Sequence, residues 1–235
     1  MSKREEMRQR RLKQTRQRQL LIIGGIVVAA LAVAGWLAYQ NFKPIGEFVP
    51  VATETWPTPD GKALGPAAAK VLIQEFADFQ CPICGSYAAT VEPLLIKDYL
   101  STGQVRYEYH HFIIIDGNVG GHESQSAAEA SECANEQGQF WNFHKMLFAN
   151  QQGEGRGAFT DRRLKAFAGS LGLDQQAFDA CFDSHRYKTD VLADSALAQQ
   201  IGATGTPTLV INGVKVDSPL DYAAIKQQLD TILGQ

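Results

Sequence analysis

Four cysteines and five histidines are the whole stock of thiol and imidazole metal ligands in this 235-residue chain. Cys81 and Cys84 stand close together, Cys133 and Cys181 stand alone, and only His185 lies within four residues of any cysteine. A structural zinc site draws on four ligands, often as two close pairs, so this spacing argues against zinc and no metal is expected. None of the five histidines has a triad or metal partner in sequence, and all are read as structural or surface residues. No internal repeat is visible, so no repeat array organises the chain.

Charge is missing altogether from residues 20–40. The net charge of −3 hides this: residues 1–19 carry +6, residues 20–40 carry nothing, and the remainder carries −9. Leu20–Tyr39 is an apolar run long enough, at about 1.5 Å per helical residue, to cross the roughly 30 Å core of a bilayer. Trp36 and Tyr39 stand where an interfacial aromatic belt forms, and the basic residues before the run predict an N-terminus held in the cytoplasm. The sequence thus predicts a basic cytoplasmic tail over 1–19 and a single-pass signal-anchor helix over 20–39, in a bacterial cytoplasmic membrane with the body extracytoplasmic. Ala32–Ala34 has the small-residue pattern of a signal-peptide cleavage site, but apolar residues continue past it through Trp36 and Leu37. An uncleaved anchor is favoured, and both readings export the body. The basic tail is explained by topology and anionic headgroups, and the acidic body argues against nucleic acid.

Long periodic patterns are absent from 41–69, which holds five of the nine prolines. With "PDGKALG" read as turns, residues 40–69 are expected to be a partly extended tether and lead-in. Order is predicted from there on. "KVLIQEFADF" (70–79) reads as a buried strand and "QVRYEYHHFIII" (104–115) as a second. Between them a helix begins at Cys81, with Pro93 expected to kink it. A helical block over about 118–202 is broken near Gly138, Gly153–Gly157 and Gly172. "TPTLVING" (206–213) is a third strand, and residues 214–216 pair with it across an Asn-Gly turn. A closing helix is predicted with Ser218 as N-cap and Pro219 at its first position. This order describes a mixed α/β sheet with a helical insertion.

The segment "EFADFQCPICGSY" (75–87) carries the chemistry. A C-x-x-C disulfide closes a very small loop, so it constrains the unfolded chain little and makes a poor staple. A reactive dithiol fits better. Cys81 opens a helix after a strand, where free backbone N–H groups and the positive end of the helix dipole favour a thiolate. Both lower a free-cysteine pKa of about 8.5. Pro82 suits the first helical turn, where its missing N–H is harmless. Cys84, one turn in, is expected to be more buried and to resolve a mixed disulfide.

This segment resembles the active-site stretch of DsbA-like thiol-disulfide oxidoreductases of the thioredoxin superfamily, in their membrane-anchored or exported branch. "GATGTPTLVING" (202–213) resembles that family's cis-proline loop and following strand, and "ASECANEQGQFWNFHKMLF" (130–148) its helical insertion. The resemblance covers about residues 64–235. It implies a thioredoxin-like fold with an inserted helical subdomain, over 70–235, behind one N-terminal transmembrane helix. It makes Cys81 the nucleophile and Cys84 the resolving cysteine, with no cofactor. Pro207 is the expected cis-proline, exposing the Thr206 backbone to a substrate strand. Glu75 matches a buried acid able to relay a proton to or from Cys84, whereas Asp78 is expected to be a local turn or cap residue. One departure is Ile83, where strongly oxidising members often carry histidine; isoleucine cannot stabilise the thiolate, so Cys81 is expected to be less acidic than theirs.

Cys133 and Cys181 each fall on an apolar helical face. They read as buried free thiols, as a shuttle partner of Cys81–Cys84, or, as an oxidising compartment favours, as a disulfide tying two helices. Together these readings predict an exported oxidoreductase that donates disulfides to reduced exported proteins. The family resemblance implies reoxidation by a quinone-linked membrane protein, DsbB-like or vitamin K epoxide reductase-like. The alternatives are an extracytoplasmic reductase or isomerase of the same fold, and a non-enzymatic module stapled by its disulfides.

Overall fold

A computed structural model describes residues 3–42 and 44–235. The chain divides into two compact units, Met1–Gly46 and Glu47–Gln235. The first is a helix, α1 (Lys3–Phe42). Within it Arg16–Tyr39 is long and apolar enough to cross a membrane. Residues 1–2 of the basic tail lie outside the described residues, as do most of its side chains before Arg16.

The second unit is built on a six-stranded sheet. Its elements in order are β1 (Pro59–Asp60), β2 (Ala63–Leu64), β3 (Val71–Ala77), α2 (Pro82–Thr90), α3 (Glu92–Asp98), β4 (Val105–His111), α4 (Ile115–Val119), α5 (Glu123–Asn135) and α6 (Phe140–Ala149). There follow α7 (Asp161–Ser170), α8 (Gln175–Asp183), α9 (Lys188–Gln200), β5 (Thr208–Ile211), β6 (Val214–Lys215) and α10 (Tyr222–Leu233). The strand order is β1-β2-β4-β3-β5-β6. β3 lies parallel to β4, from Val71 opposite Val105 to Ala77 opposite His111, and antiparallel to β5. A parallel pair needs a crossover, and α2 and α3 supply it.

Alternation in β4 sets the two faces of the sheet. Val105, Tyr107, Tyr109 and His111 are buried while Arg106, Glu108 and His110 between them are half-buried. The larger core packs Ile73, Tyr107 and Tyr109 against α2, α5 and α6, and a smaller one sets Phe76, Phe112 and Val210 against α9. β5 turns into β6 through Asn212 and Gly213, both at positive φ, as the Asn-Gly signal predicts.

Three expectations are corrected. Residues 40–69 are not a tether throughout, because chain from Glu47 on belongs to the compact body. β1 and β2 form a hairpin, and β2 pairs with β4, Leu64 opposite Tyr107. Phe48, Val51 and Trp56 pack on the core. The Asn150 side chain accepts from the Val49 N–H at 2.7 Å and donates to the Val49 carbonyl at 2.9 Å. Isolated apolar residues among prolines carry no period, so only these distant partners reveal the order. Second, Pro93 does more than kink one helix: the chain breaks between Thr90 and Glu92 into α2 and α3, since proline offers no N–H and its ring crowds the carbonyl four residues back. Third, the closing helix starts at Tyr222 with Asp221 as its cap, accepting from the Ala224 N–H at 3.1 Å. Ser218 and Pro219 lie in a turn before it, the Ser218 carbonyl accepting from the Asp221 N–H at 3.0 Å. A carboxylate at a helix N-terminus caps well and also meets the dipole.

Candidate active site

The turn from β3 into α2 is held from inside. Asp78 is fully buried. Its Oδ1 accepts from the Gln80 N–H at 2.9 Å and its Oδ2 accepts from the Ile114 and Ile115 N–H groups, each at 3.0 Å. The Asp78 carbonyl accepts from the Cys81 N–H at 3.0 Å. Asp78 is thus the turn residue the sequence suggests, and it also fastens the turn to the start of α4. Gln151 donates from Nε2 to the Phe79 carbonyl at 2.6 Å and to the Cys81 carbonyl at 3.1 Å. A Cβ at position 85 would meet the Gln151 amide, so a larger residue there would displace Gln151 from these two carbonyls.

Cys81 is the N-cap of α2, in extended conformation, with Pro82 at the first helical position. Its thiol donates to the Thr206 carbonyl at 3.4 Å. The Thr206–Pro207 peptide bond is cis, as expected, and Pro207 is buried. The Cys81 pKa is brought down to about 6, first by hydrogen bonding from Cys84 and against the opposing effect of burial, with help from Thr206 and the Cys84 and Ile83 N–H groups. A carbonyl can only accept, so the contact with the Thr206 carbonyl favours the thiol. Stabilisation of the thiolate by Thr206 therefore comes from its hydroxyl. Ile83 is 53% exposed and contributes only its backbone, so the helix terminus lowers the pKa without an imidazole.

Cys84 is fully buried, and burial together with Cys81 pushes its thiol well above the usual value. The pair is therefore split into an accessible acidic sulfur and a buried, proton-holding one. Behind it lies Glu75, fully buried on β3 rather than on a strand edge. The Tyr107 hydroxyl donates to Glu75 Oε2 at 2.5 Å. Burial raises the Glu75 pKa to about 8, with the Tyr107 hydrogen bond opposing and Cys81 adding to the rise. A carboxyl poised near neutral pH is suited to exchange a proton with a neighbouring thiol.

Cys81, Cys84, Thr206 and Pro207 thus meet at one point, with Glu75 beneath. Cys133 and Cys181 are elsewhere. They form a buried disulfide between α5 and α8, with Cα atoms 5.8 Å apart, while Cys81 and Cys84 are free thiols. That arrangement takes the tie between two helices from the three sequence alternatives. Gln80, Gln151 and Tyr107 also support the site, and the sequence signals none of them. Each is an ordinary residue in a strand, helix or turn until the chain brings it to the dithiol.

Residues 57–231 match a protein-family model described as Thioredoxin. Over 161 residues the chain is 37% identical to Na(+)/H(+) antiporter NhaA 3 of Salinispora tropica, a match covering 68% of this chain and 23% of that protein. The chain therefore spans under a quarter of the antiporter's length. It is 29% identical over 212 residues to the probable disulfide bond formation protein D of Bacillus cereus, covering 88% of this chain and 94% of that one. The crystal structure of oxidised BdbD from Bacillus subtilis superposes with a TM-score of 0.67 at 26% identity, covering 74% of this chain and 94% of that one. Sheet order, cis-proline loop and the family model agree, and the chain belongs to the thioredoxin family.

Proposed function

We propose that this protein donates disulfides to reduced exported proteins on the outer side of the bacterial cytoplasmic membrane, using Cys81 and Cys84. The observation that carries the reading is the unequal pair of sulfurs. A Cys81 thiolate stabilised near pH 6 favours the reduced enzyme over its disulfide, which makes the disulfide a better oxidant.

A substrate thiolate attacks the Cys81 sulfur of the oxidised enzyme. The Cys81–Cys84 bond breaks and Cys84 leaves as a thiolate, taking a proton from Glu75. A second substrate thiolate then attacks the substrate sulfur of the mixed disulfide, and Cys81 leaves as a thiolate. Two electrons pass from the substrate dithiol to the enzyme. Thr206, before the cis-proline, offers its backbone to an extended substrate segment beside Cys81. A quinone-linked membrane oxidase, DsbB-like or vitamin K epoxide reductase-like, then takes the electrons.

The apolar Arg16–Tyr39 helix supports a membrane anchor, and the basic residues before it support an N-terminus in the cytoplasm. The antiporter relative shares a stretch of this body, and its transport is not carried over to this chain. The decisive experiment is the equilibrium of Cys81–Cys84 with glutathione, paired with cysteine accessibility from the outside of intact cells. A potential well above the glutathione pool and an externally labelled body support the donor. A strongly reducing potential would make the protein a reductase.

A further inference from the structure

The interior behind Cys84 holds more protonatable groups than two thiols and one carboxyl require. Glu75 on β3, Glu92 on α3 and His144 on α6 bring one donor or acceptor atom each within 4.8 Å of one another, and all are buried. His144 Nε2 stands 3.5 Å from Glu92 Oε2. Glu75 Oε1, Glu92 Oε2 and His144 Nε2 have no hydrogen-bond partner. An unsatisfied buried polar group costs about 1–3 kcal/mol, so these side chains are a poor choice for stability alone.

Their placement suggests what they do. A cavity of about 560 Å³ opens beside α2, walled by Trp56, Gly85, Ala89 and Phe148, with Glu92 and His144 in its lining. Glu75 and Cys84 do not reach it. The two outer groups of the trio therefore stand between the cavity and the carboxyl that serves Cys84.

We propose that Glu92 and His144 form the outer half of a proton path that joins this cavity, through Glu75, to the Cys84 sulfur. When the enzyme disulfide is reduced, Cys84 leaves as a thiolate and takes the Glu75 proton. Glu75 is then reprotonated from Glu92 and His144, which draw a proton from water in the cavity. Reoxidation runs the path outward, from Cys84 through Glu75 to solvent. The path takes no electrons and makes no covalent bond, and Glu92 and His144 are positioning residues that act through Glu75. The inference rests on Cys81–Cys84 being the exchanging pair.

The protonation states suit the task. Burial, and then Glu75, raises the Glu92 carboxyl well above its usual range, while burial and then His111 hold His144 down at about 3 and so neutral. Facing the trio are Tyr87 on α2, Tyr107 and Tyr109 on β4, and Cys84, all kept protonated first by burial, with Cys81 acting on Glu75 and His111 of β4 on His144. On the cavity wall, Glu54 and Lys145 pair with each other. No cation is among the groups that set the Glu75 and Glu92 carboxyls, so neither is held ionised and unable to carry a proton.

The test is stopped-flow reduction of the oxidised full-length protein by dithiothreitol, from pH 5 to 9, for wild type, Glu92→Gln and Ala89→Leu. Glu92→Gln keeps the shape of the side chain and removes its proton. Ala89→Leu adds bulk to the cavity lining from an exposed position and leaves the three side chains of the trio in place. Both variants are expected to be slowed roughly tenfold at high pH and little at low pH, a smaller loss than the roughly hundredfold or more of a general acid acting directly, because these groups act through Glu75. Added imidazole, small enough for the cavity, is expected to restore Glu92→Gln but not Ala89→Leu. The Cys81 alkylation profile is expected to stay unchanged in both. Wild-type pH dependence in both variants would overturn the path, as would equal slowing at every pH with no rescue. Stoichiometric zinc in the wild-type protein, lost from Glu92→Gln, would also overturn it in favour of a metal site. If Cys81→Ser still exchanges disulfides, it is the reading of the dithiol that fails.

Discussion

The Cys81 sulfur lies 3.4 Å from the carbonyl oxygen of Thr206, a residue 125 positions away in the chain. The nucleophile comes from a strand-to-helix turn and its neighbour from the loop before β5. Because β3 and β5 pair side by side, Phe76 opposite Thr208, the two ends converge on one spot. A thiolate has no proton to give that carbonyl, so the ionised Cys81 relies on the Cys84 thiol first, then on the Thr206 hydroxyl and the Cys84 and Ile83 N–H groups.

Titration of Cys81 follows from that. Alkylation of the reduced protein by iodoacetamide is expected to rise with a midpoint near the value of about 6 set for Cys81, leaving Cys84 unmodified at neutral pH. Cys84→Ser is expected to accumulate mixed disulfides with substrate, and Cys81→Ser to abolish exchange. A folded-state pKa below the unfolded one adds stability that is complete above the unfolded pKa and lost as pH falls through the folded one. The Cys81 contribution to the reduced form therefore grows from about pH 6 toward the ordinary thiol value of 9.0. Differential scanning calorimetry of reduced and oxidised protein across that window checks it.

Glu75 works in the opposite sense. Its pKa is raised from 4.5 to about 8, so its stability contribution is full below the lower value and lost as pH rises through the upper. Glu75→Gln is expected to stabilise the protein at pH 7 by roughly 3 kcal/mol, since each tenfold change in a protonation equilibrium is worth about 1.36 kcal/mol. The gain should vanish near pH 4. Urea unfolding at both pH values measures it, and dithiol exchange by the same variant is expected to slow by about two orders of magnitude.

The Cys133–Cys181 disulfide closes a loop with a sequence separation of 48. Replacing both cysteines with serine is expected to destabilise the body by about 4 kcal/mol, the loop-closure entropy the bond removes from the unfolded chain. The redox potential of Cys81–Cys84 is expected to stay the same, because the two disulfides share no sulfur. Thermal unfolding and glutathione equilibration of one sample test both halves.

Lys62, on the β1–β2 hairpin, reaches Asp194 at 2.6 Å and Glu132 at 2.8 Å. Burial works to raise Glu132, but His111 and Lys62 pull it down to about 2, and Asp194 is lowered against the same burial by His110 and Lys62. Depressed carboxyl pKa values give stability at neutral pH that is lost on acidification. Lys62→Met is expected to cost about 2 kcal/mol at pH 7, below the roughly 3–5 kcal/mol of a fully buried pair, because the lysine is partly exposed. The deficit should narrow below about pH 3, as read by urea midpoints.

The sequence by itself determined what is local. The dithiol at the head of α2, the helix breaks at Gly138 and Gly172 and the Asn212–Gly213 turn each depend on a few neighbouring dihedrals and on residues that only some conformations accept. The apolar run in α1 is legible for the same reason, since its composition alone answers to a bilayer.

Tertiary structure decided the rest. Nothing near Leu64 shows that it will face Tyr107, and nothing near Glu92 shows that it will meet His144. The start of α10 turned on which of two nearby capping residues, Ser218 or Asp221, took the first turn. A buried polar side chain is defined by what surrounds it. The pKa of Glu75, its tie to Tyr107 and the trio behind Cys84 exist only once segments far apart in sequence have excluded water together, because desolvation belongs to the packed fold and to no single stretch of chain.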